Sequence, residues 1–136
     1  MTALTQDRNT PLKDGEEIAV LVGAAKKIFA GSLVVAAATG YAEPGSTATT
    51  LTALGRAEEF VDNSAGAAGA KTVRVRRGKA FKFANAAADL VTQAELGKTC
   101  YIVDDQTVAK TNGGATRSAA GKVLGVEADG VWVYIE

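Results

Sequence analysis

Valine and arginine alternate at positions 73–76. Val73 and Val75 point one way and Arg74 and Arg76 the other, the period of a strand with one dry and one wet face. Gly78 breaks the alternation, and Phe81 and Phe83 resume it around Lys82. The pattern predicts one long strand over 73–85, bent or bulged at Gly78. Upstream, residues 51–60 predict its partner strand, with Leu54 and Phe60 as core anchors. Between the two, Asp62-Asn63-Ser64 and Gly66-Ala67-Ala68-Gly69 predict a small-residue loop.

The rest of the chain reads as more short strands. Residues 1–17 are polar, aperiodic and interrupted by Pro11 and Gly15, which predicts an extended N-terminal arm. Such an arm is suited to adding a strand to a neighbour's sheet. Strands are expected over 18–22 and 32–37, turning at Thr39-Gly40 and at Pro44-Gly45, and over 99–103 and 107–110 around the turn Asp104-Asp105-Gln106. Thr92-Gln93-Ala94-Glu95 fits a capping box and Gly97 its stop, so one short helical turn is predicted there. A last hairpin joins 122–127 to 131–135 at Asp129-Gly130. Its final strand sets Val131, Val133 and Ile135 on one face and Trp132 and Tyr134 on the other, so both faces are expected to be covered, one by the core and one by another element or subunit. The fold class is therefore all-β, a small barrel or sandwich of short antiparallel strands. The arm, 1–17, precedes a single β-rich domain, 18–136.

Composition sharpens this picture. Of 136 residues 27 are alanine, and Val, Ile, Leu and Phe together number 31. The core must be thin, and thin cores borrow stability from partner subunits. Formal net charge is zero, so no global field draws the protein onto DNA or an anionic membrane. Histidine is absent, removing the usual general base near neutral pH. The single cysteine, Cys100, forms no internal disulfide and is expected to be buried. The longest apolar run, 28–38, is too short to cross a bilayer, and the N-terminus lacks the pattern of a secretion signal. A soluble protein made in a reducing cytoplasm is expected.

Candidate chemistry is sparse. Gly97-Lys98-Thr99 echoes the end of a phosphate-binding loop, but Thr92 stands where the motif needs its first glycine, and a strand follows instead of a helix. Asp104 and Asp105 read as turn formers. No serine has a histidine partner or sits in a Gly-x-Ser-x-Gly elbow. No enzyme activity is expected, and no catalytic, cofactor-binding or metal-binding residue is put forward. The strongest local signal is basic: Lys71, Arg74, Arg76, Arg77, Lys79 and Lys82 lie within twelve residues free of acid. Pairing with Glu58, Glu59 and Asp62, or a protein interface, ranks above nucleic acid.

The segments Gly55-Arg-Ala-Glu-Glu, Val61-Asp-Asn-Ser, Gly66-Ala-Ala-Gly, Val73-Arg-Val-Arg-Arg-Gly and Phe81-Lys-Phe-Ala-Asn resemble the small head proteins of Mu-like tailed phages and prophages. So do Gly97-Lys-Thr-Cys-Tyr-Ile-Val-Asp-Asp-Gln-Thr-Val-Ala-Lys and Gly130-Val-Trp-Val, and the likeness runs from about Arg8 to the C-terminus. Such proteins are similar in role to the decoration, or cement, proteins of lambdoid phages. The resemblance implies a homotrimer on the outside of an icosahedral head, assembled in the host bacterial cytoplasm, with its arm on the major capsid protein. Arg8, Asn9, Thr10, Pro11 and Leu12 are then the expected capsid-binding arm. Arg74, Arg76, Arg77, Lys79, Trp132 and Tyr134 are the expected subunit or capsid interface. Partners would be the major capsid protein and further copies of the chain, with no cofactor, nucleic acid or membrane. The alternatives are a small-barrel binder of single-stranded nucleic acid and a head–tail joining component.

Overall fold

The computed structural model describes residues 2–136. In chain order the strands are β1 (Glu17–Leu21), β2 (Lys26–Ile28), β3 (Leu33–Ala36), β4 (Ala42–Pro44), β5 (Thr52–Ala57), β6 (Val61–Asn63), β7 (Thr72–Arg76), β8 (Lys79–Asn85), β9 (Thr99–Ile102), β10 (Thr107–Ala109), β11 (Ala119–Glu127) and β12 (Gly130–Ile135). Among the described residues the only helical element is a 3-10 turn, Gln93–Glu95. The protein is all-β. An antiparallel sheet runs β1-β7-β5-β3-β4, a closed barrel runs β10-β8-β12-β11-β9, and β2 and β6 form a separate ribbon.

Strand β3 explains why the parts stay together. Leu33, Val34 and Val35 are all buried, so both faces of the strand are covered. Leu33 and Val35 belong to the barrel's core, with Phe81, Ile102 and Val133. Val34 points the other way, into a second core with Ile28, Val61, Val73 and Val75. Beside it, β5 carries a bulge where the pairing jumps from Gly55 to Ala53. Gly55 has φ +151°, and a Cβ there would collide with the Arg76 carbonyl.

Several expectations need correction. The long basic strand is two strands. β7 pairs with β1 and β5 in the open sheet, whereas β8 pairs with β12 and β10 in the barrel. Gly78, at φ +71°, is the crossing between them. Phe60 is not a core anchor; it is 53 % exposed, and β5 stops at Ala57. Leu54 packs partly buried against the second core, as expected. The loop after Phe60 opens with β6, whose Asn63 is buried and donates from Nδ2 to the Gly23 and Ala67 carbonyls. Strand pairing is antiparallel except between β10 and β8, which run parallel over Thr107↔Ala84 and Val108↔Asn85, and one isolated parallel bridge joins Val22 to Ala42. The capping residues behave as read: the Thr92 backbone N–H and hydroxyl both donate to Glu95 Oε1, at 2.7 and 2.8 Å. Cys100 is buried, and burial pushes its thiol up to about 11.

Residues 2–16 lie outside every strand and are exposed throughout. Glu17 is already in β1, one residue earlier than the expected end of the arm.

Candidate functional site

The row of side chains that crosses the open sheet from β3 to β1 sets the electrostatics of the basic strand. Leu33 pairs with Arg56, Arg56 with Arg76, and Arg76 with Glu17. The row passes from a buried apolar residue to a charged edge. Near its dry end the Arg56 guanidinium stacks over the Phe81 ring, 5.0 Å from the centroid. Arg56 and Arg76 are like charges directly opposite one another, which destabilises a sheet unless carboxylates intervene. They do. Glu58 Oε1 accepts from Arg56 Nη2 at 2.6 Å and lies 3.8 Å from Arg76 Nε. The Glu17 carboxylate spans Arg74 Nη1 at 3.1 Å and Arg76 Nη2 at 3.0 Å. Glu59 Oε2 accepts from the Arg74 backbone N–H at 2.9 Å and sits 3.4 Å from Arg74 Nε. The Arg56 hydrogen bond, then the Arg56, Arg76 and Arg74 charges, hold the Glu58 carboxyl below its ordinary range. The Glu17 hydrogen bond, followed by the Glu59 and Glu17 charges, raises Arg74.

Pairing with Glu58 and Glu59 was readable from sequence. The part played by Glu17 was not, because it depends on β1 lying beside β7. Asp62 takes another role: its backbone carbonyl accepts from Lys71 Nζ at 2.6 Å.

The expected interface residues are spread over β7, the crossing at Gly78, β8 and β12. Arg74 and Arg76 share the network on the open sheet. Arg77 lies at the crossing, where its backbone N–H donates to the Glu16 carbonyl at 2.8 Å. Lys79 opens β8 and pairs with Glu16 at 3.5 Å. Trp132 and Tyr134 stand on the outer face of the barrel, each 36 % exposed. Among the described residues no strand covers that face. Trp132 Nε1 donates to Glu127 Oε1 at 2.7 Å, and Lys82 Nζ lies 5.7 Å from the Trp132 centroid. Lys82 also pairs with Asp129 at 2.8 Å; that bond raises Lys82 and lowers Asp129. Arg8, Asn9, Thr10, Pro11 and Leu12 are all exposed, and Leu12 is 94 % so.

Two surfaces went unread in the sequence. Lys98, Lys110 and Lys122 line one groove beside Tyr101. Phe29 and Phe60, both more than half exposed, bring their rings within 5.3 Å at the end of the β2–β6 ribbon. Residues far apart in sequence meet in each case, so no local pattern announces them. Among the described residues no group of three or more acidic, cysteine or histidine side chains is placed to hold a metal ion. No family model, no curated protein and no solved structure matches the chain.

Proposed function

We propose that this chain is a structural virion protein that decorates and stabilises the outer surface of an icosahedral tailed-phage head. It acts as a homotrimer and reaches the major capsid protein through its N-terminal arm. The observation that carries the proposal is the arm itself. Residues 2–16 run exposed and outside every strand, yet present Leu4 and Leu12, 73 % and 94 % exposed. Two leucines held out on an extended segment suit a surface supplied by another protein. Fully extended, fifteen residues span roughly 50 Å, enough to leave the body's footprint.

The mechanism is mechanical. Packaged DNA pushes a shell outward, and a trimer that touches several capsid subunits must release every arm to leave, so modest contacts sum by avidity. The basic strand favours this reading over a nucleic-acid binder. Arg74 and Arg76 are bound to Glu17, Glu58 and Glu59, which cancels much of the field that a phosphate chain would feel. A head–tail joining protein is separated from decoration by its copy number per virion.

The test is deletion of residues 2–12, followed by co-sedimentation with heads assembled from major capsid protein. The full chain is expected to pellet with heads and the shortened chain to stay in the supernatant. Undiminished binding of the shortened chain refutes the arm's role, and a full chain that never pellets refutes decoration.

A further inference from the structure

One groove gathers three lysines, Lys98, Lys110 and Lys122. Several cations elsewhere meet carboxylates, such as Arg56 with Glu58, Arg74 with Glu17, Lys82 with Asp129 and Arg117 with Asp89, whereas Arg8, Lys13, Lys27, Lys71 and Arg77 have none within 4 Å among the described residues but do not line this groove. The three groove lysines are exposed and have no carboxylate within 4 Å among the described residues. The one acid in the groove, Glu95, accepts two hydrogen bonds from Thr92 and also feels the Lys110 and Lys98 charges, which leaves one carboxylate against three ammonium groups. Three like charges on one wall repel each other, and an arriving carboxylate relieves that repulsion.

The complement lies at the far end of the same hairpin. β9 and β10 pair antiparallel through Ile102↔Val108 and Tyr101↔Ala109. Lys98 and Lys110 therefore leave the hairpin at one end, and the turn with Asp104 and Asp105 closes it at the other, about five residues or ~17 Å away. Neither aspartate has a cation within 4 Å among the described residues. Asp105 borders a shallow cleft with Phe29, whose ring meets that of Phe60. One end of the hairpin thus offers carboxylates beside exposed aromatic surface, and the other offers ammonium groups beside a tyrosine.

We propose that the lysine groove is the docking site for the turn carrying Asp104 and Asp105 of a second copy of this chain. The two patches are unlike, so the contact is head to tail. Repeated, it closes into a ring if the rotation per copy divides the circle and otherwise extends as a fibre. This rests on the homo-oligomer proposed above and names the surfaces that join it.

Two charge-reversed full-length variants test it by sedimentation velocity and native mass spectrometry, at ionic strengths below and above about 0.15 M. One carries Asp104→Asn with Asp105→Lys; asparagine preserves the bond from the Gln106 N–H to the side-chain oxygen at position 104. The other carries Lys98→Glu, Lys110→Glu and Lys122→Glu. Each is expected to self-associate at least about tenfold more weakly than wild type, and an equimolar mixture of the two is expected to pair, since the lysine at position 105 then meets the glutamates. Urea midpoints close to wild type show that both variants fold. Oligomers indifferent to both reversals overturn this contact and leave the capsid reading standing. A monomeric wild type overturns the contact together with the trimer, and oligothymidylate captured by the groove without self-association reassigns it to nucleic acid. Charge-sensitive oligomers that ignore phage heads support the contact and sink the capsid reading.

Discussion

At the scale of single residues, backbone approach decides more than side-chain chemistry. Gly55 combines φ +151° with a position against the Arg76 carbonyl that leaves no room for a Cβ. Gly55→Ala must therefore push β7 away from β5 or flatten the bulge. It is expected to cost more than about 2 kcal/mol, the range of substitutions that break a special backbone conformation, measured as a fall in urea midpoint. A midpoint within error of wild type would show that the bulge relaxes freely. Alternation made the inward positions of β12 legible: Val131, Val133 and Ile135 are buried, as the pattern required. Phe60 was misread because a large aromatic at the end of an expected strand, next to Val61, looks like a core residue. The chain bends away after Ala57, and the ring is left beside Phe29 at the surface.

At the scale of elements, the sequence hides a change of sheet. Val73, Val75, Phe81 and Phe83 are all odd-numbered, so the alternation stays in phase across Gly78 and nothing in the period reveals that the partners change. Partner identity is a property of the whole topology. For the same reason the lysine groove became visible only once the register of β9 with β10 and β11 was known. β3 was legible as a strand, but not as the wall between two cores. That position has a measurable consequence. Val34→Ala opens the second core and Val35→Ala the barrel core, each removing two buried methyl groups at about 2–3 kcal/mol. Because one strand serves both cores, either variant is expected to lower a single calorimetric transition. Two separated transitions would mean that the cores melt independently.

At the scale of the molecule, acid should weaken the fold. Glu58, Asp62, Asp89, Glu95 and Asp129 are all held below the ordinary carboxylate range. Their first causes are, in turn, hydrogen bonds from Arg56, Ser64, Thr111, Thr92 and Lys82. Such groups stabilise the native state above their unfolded pKa values, roughly 4, and that stabilisation is lost as pH falls through the lower folded values. Asp105 acts with the opposite sign. Burial and then the Asp104 charge raise it, so its contribution is present at low pH and lost as pH rises through its folded value. Five groups outweigh one, and the urea midpoint is expected to drop between about pH 5 and pH 3. A midpoint that holds or rises over that interval would show that these bonds do not persist in solution.

The crossing at Gly78 also settles how a tug on the N-terminus is shared. There the Glu16 carbonyl takes the Arg77 N–H at 2.8 Å, and the Ile135 carbonyl takes the Gly78 N–H at 2.6 Å, so the root of the arm and the last strand are tied to a single knot. β1 follows with five consecutive partners on β7. Tension along that axis strains all five rungs in shear instead of unpeeling them singly, and the knot hands part of it to the barrel. The tether is anchored where rupture demands the most simultaneous breakage.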